Sequence, residues 1–109
     1  MPLMEGQMKF YQILLPVLDN DGVETWGAHV AWRQYVLNLV GGYTQQGVSS
    51  GLWQDRKSNH VHTDELVTYQ VATTREMWRL CVAKAFELWP DQKAIMWAEL
   101  GDATIEMRP

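Results

Sequence analysis

At Gly41-Gly42 the hydrophobic period of the chain changes, and that change limits the fold more than any other feature. Upstream, in "GAHVAWRQYVLNLVGG", Ala28, Trp32, Tyr35, Val36, Leu39 and Val40 recur at helical spacing, with Arg33, Gln34 and Asn38 on the other side. The spacing predicts an amphipathic helix over 27–40. The paired glycines stop it, because glycine takes the left-handed conformation that ends a helix without steric cost. Downstream, "YTQQGVSSGLWQD" is poor in helix formers and "DRKSN" (55–59) is a polar turn. In "HVHTDELVTYQVA" (60–72), Val67, Tyr69 and Val71 alternate with Leu66, Thr68 and Gln70, the period of a strand. The pair predicts a β-hairpin whose first strand bends or bulges near Gly47 and Gly51.

The flanking segments complete the layout. "KFYQILLPVL" (9–18) reads as a strand closed by the turn signal "DNDG". Pro16 has no amide hydrogen and marks the strand's end or an unpaired position. Thr73 followed by Glu76 fits the capping box of a second helix. Its apolar side is read as Met77, Leu80, Cys81, Lys84, Ala85 and Leu88, with the Lys84 stem lying along the apolar surface. Trp89-Pro90 ends it. "AIMWAEL" (94–100) reads as a strand, punctuated by "GD", and "ATIEM" offers a short fifth strand. The order is β-α-β-β-α-β. It predicts an α+β, ferredoxin-like split βαβ fold: an antiparallel sheet, two helices on one face, strands one and three central. The 109 residues suit a single domain spanning 1–109, with 1–8 as a frayed tail.

Alternation divides each strand between two faces. Tyr11, Ile13 and Leu15, then Val67, Tyr69 and Val71, then Met96 and Ala98, are assigned to the helices as the more uniformly apolar sets. The leftover face carries Phe10, Gln12, Leu14, Leu66, Thr68, Gln70, Ile95, Trp97 and Glu99. That set is too apolar for water, and large exposed apolar patches mark interfaces. A second copy of the chain is the expected cover.

Composition narrows the function. A net charge of −4 disfavours a nucleic-acid partner bound by phosphate neutralisation. The single cysteine, Cys81, excludes an internal disulfide and is read as a small buried hydrophobe. No apolar run approaches the ~18–20 residues that span a bilayer, and "MPLMEGQMKF" lacks the order of a secretory signal. No membrane partner and a cytoplasmic location are the expectations. Six tryptophans point to a large packing surface or a self-association face.

His60 and His62 lie two apart on the predicted strand and point the same way, with Asp64 continuing the row. Two imidazoles and a carboxylate are zinc-type ligands. No third histidine lies nearby and no second cysteine exists, so the bland reading is a solvated hairpin end. No metal and no cofactor is expected. Glu65 shares parity with Val67 and Tyr69, so it either enters the core side as a catalytic carboxylate or stays in solvent where the strand kinks. "GGYT" precedes a strand, whereas a phosphate cradle needs a helix after the glycines.

The segments "GGYTQQGVSSGLWQD", "TDELVTYQVA" and "AKAFELWPDQKAIMWAEL" resemble a family of small bacterial domains of unknown function. In that family a "glyT…G.W.d" segment leads into a strand with an acidic residue near its start. The resemblance implies a ferredoxin-like fold from Phe10 onward and carries no activity or cofactor. The lead-in "GVETWGAHVAW" departs from it. "GGYT" is also similar to trimeric signalling proteins of the nitrogen-regulatory type, whose long loop and basic ligand residues are missing here.

The leading expectation is a self-associating binding or accessory domain, a homodimer or higher homo-oligomer through the sheet face. It would take a small molecule or another protein near Tyr11, Tyr43, Trp53, Tyr69 and Trp97. The rival is a small cofactor-independent enzyme like the dimeric α+β barrels, with His60, His62 or Glu65 as catalytic candidates. That rival rests on fold analogy.

Overall fold

Alternation in the first strand, β1 (Lys9–Pro16), sends Tyr11, Ile13 and Leu15 to one side, where all three are fully buried. The computed structural model describes residues 8–109. The chain continues through α1 (Trp26–Val40), β2 (Thr44–Gln54), β3 (Val61–Thr73), α2 (Arg75–Leu88) and β4 (Trp97–Asp102). This is the expected β-α-β-β-α-β order. The sheet order is β2-β3-β1-β4 with antiparallel neighbours throughout, so β1 and β3 are central as predicted. Of the tail expected at 1–8, residues 1–7 lie outside the described residues. Met8 is held, its carbonyl accepting from the Ala103 amide at 3.1 Å.

Both helices cover one face. Trp32 of α1 packs on Tyr69 of β3, and Trp78 of α2 stacks on Tyr11 of β1, each pair with ring centroids 4.8 Å apart. The Trp32 indole N–H donates to the Cys81 carbonyl at 2.9 Å and ties α1 to α2. Such a bond fixes the ring's orientation as well as its burial, whereas the buried Trp78 and Trp89 indoles have no partner among the described residues. Val67, Tyr69 and Val71 fill the same layer with Val36, Cys81, Val82, Ala85 and Trp89.

The ends of the elements follow local chemistry. Gly41 has φ 101° and its amide donates to the Leu37 carbonyl at 3.0 Å, the helix stop read from the sequence. Asp19 Oδ1 accepts from the amides of Asp21 and Val23, which closes the "DNDG" turn. The second helix is capped one residue later than expected: Thr74 Oγ1 accepts from the Met77 amide at 3.3 Å. Thr73 is instead the last residue of β3, paired with Lys9. The buried stripe of α2 is Trp78, Cys81, Val82 and Ala85. Leu80, expected inside, is half exposed. Lys84 does lie along the helix seam, with Nζ 5.3 Å from the Tyr35 ring centroid and bonded to Glu87 at 3.2 Å.

The last strand corrects the face assignment. Trp97 pairs with Ile13, and Glu99 with Tyr11, so both take the helix side rather than the leftover face. Trp97 meets the edges of Tyr11 and Trp78, each 6.0 Å between centroids, and Ile95 also packs on the core. Met96, assigned inward, is 69% exposed. Burial scales with apolar area, so an indole wins the inner side over a methionine and an alanine. Gly101-Asp102 extends β4, and the expected fifth strand at "ATIEM" is not formed.

The hairpin outgrows the sheet. β1 pairs with β3 only from Leu66 to Thr73, whereas β2 follows β3 down to Gln54 and Val61. The register slips between Gln45 and Val48, so the bulge sits at Gln46-Gly47, while Gly51 pairs regularly with Asp64. Among the described residues the far end is a two-stranded ribbon with no third strand, and the described chain is 54 Å long against 27 and 22 Å.

Candidate functional site

The ribbon turns at Asp55–His60. The Asp55 amide donates to the His60 carbonyl at 2.9 Å and the Asn59 amide to the Asp55 carbonyl at 2.8 Å. Asn59 takes φ 58°, a left-handed conformation that asparagine tolerates better than most residues. This turn sets the register that places Trp53 opposite His62 and Gly51 opposite Asp64.

The open face of the ribbon therefore collects Trp53, His60, His62 and Asp64. The Trp53 and His62 rings stack, centroids 4.2 Å apart and planes within 13°. The Trp53 indole N–H donates to Asp64 Oδ2 at 2.7 Å. His60 stands edge-on to His62, centroids 4.4 Å apart at 79°. The result is an aromatic platform with two imidazoles and one carboxylate. It is continuous with the side of the sheet that the helices leave bare, where Phe10, Leu14 and Leu66 are half-buried and the Gln70 amide donates to Gln12 Oε1 at 3.1 Å.

Glu65 does not join this group. It pairs with Ser50, has the opposite parity to Asp64, and is exposed on the other side of the ribbon. His60 and His62 thus share one face of the ribbon and Glu65 takes the other. Among the described residues, no three His, Cys, Asp or Glu side chains are arranged to hold a metal ion.

The five aromatic candidates also separate. Tyr11 and Tyr69 are fully buried under the helices. Trp97 belongs to the Tyr11–Trp78 cluster, and Tyr43 meets Tyr69 edge-on at 6.0 Å. Only Trp53 is presented on the uncovered side of the sheet. The Tyr11 hydroxyl has no hydrogen-bond partner among the described residues. Burial pushes its pKa up, and the neighbouring Glu99 charge adds to that.

A buried polar line was missed by sequence reasoning. His29 is fully buried, with Nδ1 2.8 Å from the Tyr69 hydroxyl and Nε2 2.8 Å from the Pro16 carbonyl. A carbonyl only accepts, so Nε2 carries the proton and Nδ1 accepts from Tyr69. Arg33 donates to the same hydroxyl at 3.2 Å. Burial lowers the His29 pKa, and the Arg33 charge lowers it further, while the Pro16 bond opposes them. Burial also raises the Tyr69 pKa, against the bond from Arg33. The line braces the end of β1 against α1 and β3. His29, Trp32 and Val36 are spaced three and four apart, so the helical period did contain the signal.

No protein-family model and no curated protein sequence matches this chain. Solved structures do. The divalent cation tolerance protein (Cut A1) of Thermus thermophilus superposes with a TM-score of 0.66 at 12% identity, over 91% of this chain and 87% of that one. The fold is that of the CutA1 proteins. CutA1 of a psychrotrophic Shewanella species gives 0.68 at 9% identity, over 92% and 85%. The divalent ion tolerance protein CutA1 of Ehrlichia chaffeensis gives 0.62 at 12%, over 90% and 85%. The likeness to CutA1 runs nearly end to end in both chains and rests on architecture rather than on shared residues. No helix of the described chain is long and apolar enough to cross a membrane.

Proposed function

We propose that the chain is a single-domain, self-associating binding module, and that its working surface is the projecting β2–β3 hairpin with the adjoining bare sheet face. The occupant of the β2 edge is a second copy of the chain. The observation that carries this reading is the edge itself. β2 runs eleven residues, "TQQGVSSGLWQ", with no charge and no proline. Protective edges are short, charged or interrupted by proline, because unpaired backbone groups recruit another strand. Here the sole interruption is the bulge at Gln46-Gly47. The ribbon below it exposes Leu52, Trp53 and Val61, with Leu52 73% exposed. A two-stranded ribbon is marginal in water on its own. An uncharged edge meeting its own copy is self-complementary by symmetry and needs no second gene product.

The cytoplasm is the proposed setting, and the names of the CutA1 structures suggest cellular tolerance of divalent cations as its context. Static light scattering tests the self-association. The expected mass is a multiple of 12.6 kDa, reduced to the single-chain value by Ser50→Lys with the circular dichroism unchanged. A wild-type chain that stays at 12.6 kDa at every concentration overturns the reading.

A further inference from the structure

We infer that Arg33 anchors a binding site for a small organic carboxylate, at the seam where α1 meets the start of β2. Its guanidinium donates to the Tyr69 hydroxyl at 3.2 Å, a part-buried contact, and to Gln45 Oε1 at 3.4 Å, at the solvent end. A guanidinium carries five N–H donors in a planar fork that matches a carboxylate. Two long contacts to neutral oxygens do not neutralise its charge. The ion pairs among the described residues are Lys9–Asp102, Arg75–Glu99 and Lys84–Glu87, and none involves Arg33. A half-buried cation without a counter-ion is costly, and an anion from outside relieves that cost.

The surroundings supply no internal anion. In α1 and β2 together, "WGAHVAWRQYVLNLV" and "TQQGVSSGLWQ", Arg33 is the single Lys, Arg, Asp or Glu, in a chain with 13 acidic residues. Asp64 and Glu65 of β3 pair with Gly51 and Ser50, far along the ribbon from the pairing of Gln45 with Tyr69. Arg33 is the cation that bears on both His29 and Tyr69, and no carboxylate is among the groups that do. Apolar neighbours set the body of the ligand. Val30 and Leu37 stand three residues before and four after Arg33, so they flank it on one side of α1. Both are about half exposed. Tyr43 is half-buried and meets the Tyr69 ring edge-on at 6.0 Å. One cation between two uncovered aliphatic side chains fits an anionic head on an apolar body better than an inorganic anion. The seam lies on the helix side of the sheet, apart from the hairpin face, and the inference does not depend on self-association.

The test is isothermal titration of the full chain with 3-phenylpropionate, with its neutral amide and inorganic phosphate as comparators, and the light-scattering mass of each sample measured alongside. Wild type is expected to bind the carboxylate roughly tenfold or more tightly than the amide, the worth of a hydrogen-bonded charge. That comparison needs no variant. Arg33→Gln is expected to lose the same factor, and Arg33→Lys to recover part of it, because lysine restores the charge without the fork. Leu37→Ser, at an exposed position that leaves the guanidinium in place, is expected to weaken 3-phenylpropionate several-fold. Equal affinity for the carboxylate and the amide, wild-type affinity in Arg33→Gln, or phosphate binding as tight as the carboxylate overturns the inference. A wild type that ignores the probe, with a mass that falls in Arg33→Gln, makes a carboxylate of a second copy the occupant and also overturns it. A single-chain mass with the probe bound counts against the self-association instead, so the two failures are distinguishable.

Discussion

Trp53 lies flat against His62 across the β2–β3 ribbon, planes within 13°, on a part of the chain that neither helix reaches. A cross-strand aromatic pair of this kind stabilises its own ribbon by about 0.2–1 kcal/mol. Trp53→Ala is therefore expected to cost the monomer no more than about 1 kcal/mol, while weakening self-association. Urea unfolding of dilute protein, compared with sedimentation of concentrated protein, separates the two effects. A loss of several kcal/mol in dilute solution would place Trp53 in the core.

The buried His29 makes stability depend on pH with a definite sign. Its folded pKa is lowered, chiefly by burial, so the unfolded chain binds the proton more readily. The stabilising contribution is complete above the unfolded value of about 6.5 and is lost as pH falls from there through the folded value. Besides its partners Tyr69 and Pro16, the ring meets Trp26 and Trp89, and the nearest cation is Arg33. Thermal melts between pH 7.5 and 5 should show Tm falling in wild type and a flatter profile in His29→Gln. Equal slopes would contradict the buried neutral imidazole.

Trp97 and Met96 report the parity of β4. Trp97→Ala removes a ring packed on Tyr11 and Trp78 and is expected to cost about 3 kcal/mol or more. Met96→Ala, at an exposed position, should stay within about 0.5 kcal/mol. The reverse ranking in chemical denaturation would mean that the strand is turned over.

Much of this architecture was legible because the strongest patterns had no competitor. In β1 and β3 one parity is uniformly apolar and meets the helices, and at Gly41 the helix stop was favoured because no helix follows the glycines. β4 was misread because Glu99 shares a parity with Ile95 and Trp97, so the Met96 and Ala98 set looked the more uniformly apolar, although the Trp97 indole outweighs it in buried area. The cap of α2 was misplaced because Thr73 and Thr74 offer the same hydroxyl, and only the pairing of Thr73 with Lys9 assigns one to the strand. The stack of Trp53 on His62 depends on cross-strand register. The turn at Asp55–His60 sets that register, and its location was legible while its exact length was not. His29 was passed over because a polar residue in a buried stripe needs partners from β1 and β3, which are distant in sequence.

The helix stop offers a clean backbone test. A side chain at Gly41 would meet no atom within 4 Å, so the cost of Gly41→Ala is conformational alone, about 1–2 kcal/mol for a left-handed residue. Gly42→Ala also meets open space and has no positive φ, so it should be close to neutral. Equal effects of the two in urea titration would contradict the assigned cap.

Cys81 is buried between the helices and the sheet, and burial pushes its thiol pKa up to about 12. Reactivity follows the thiolate. A thiol reagent at pH 8 should therefore label the native chain only as fast as it unfolds, and labelling should become rapid in urea. Rapid labelling of the folded chain would show that the layer is open.

Whether the uncharged β2 edge is paired with another copy decides the proposed function. Amide hydrogen exchange of the alternate β2 residues whose N–H groups point away from β3 reads this directly. These amides are expected to be protected in concentrated protein and to lose that protection on dilution, while β1 and β3 stay protected throughout. Exchange at the rate of free backbone in concentrated protein would contradict the pairing.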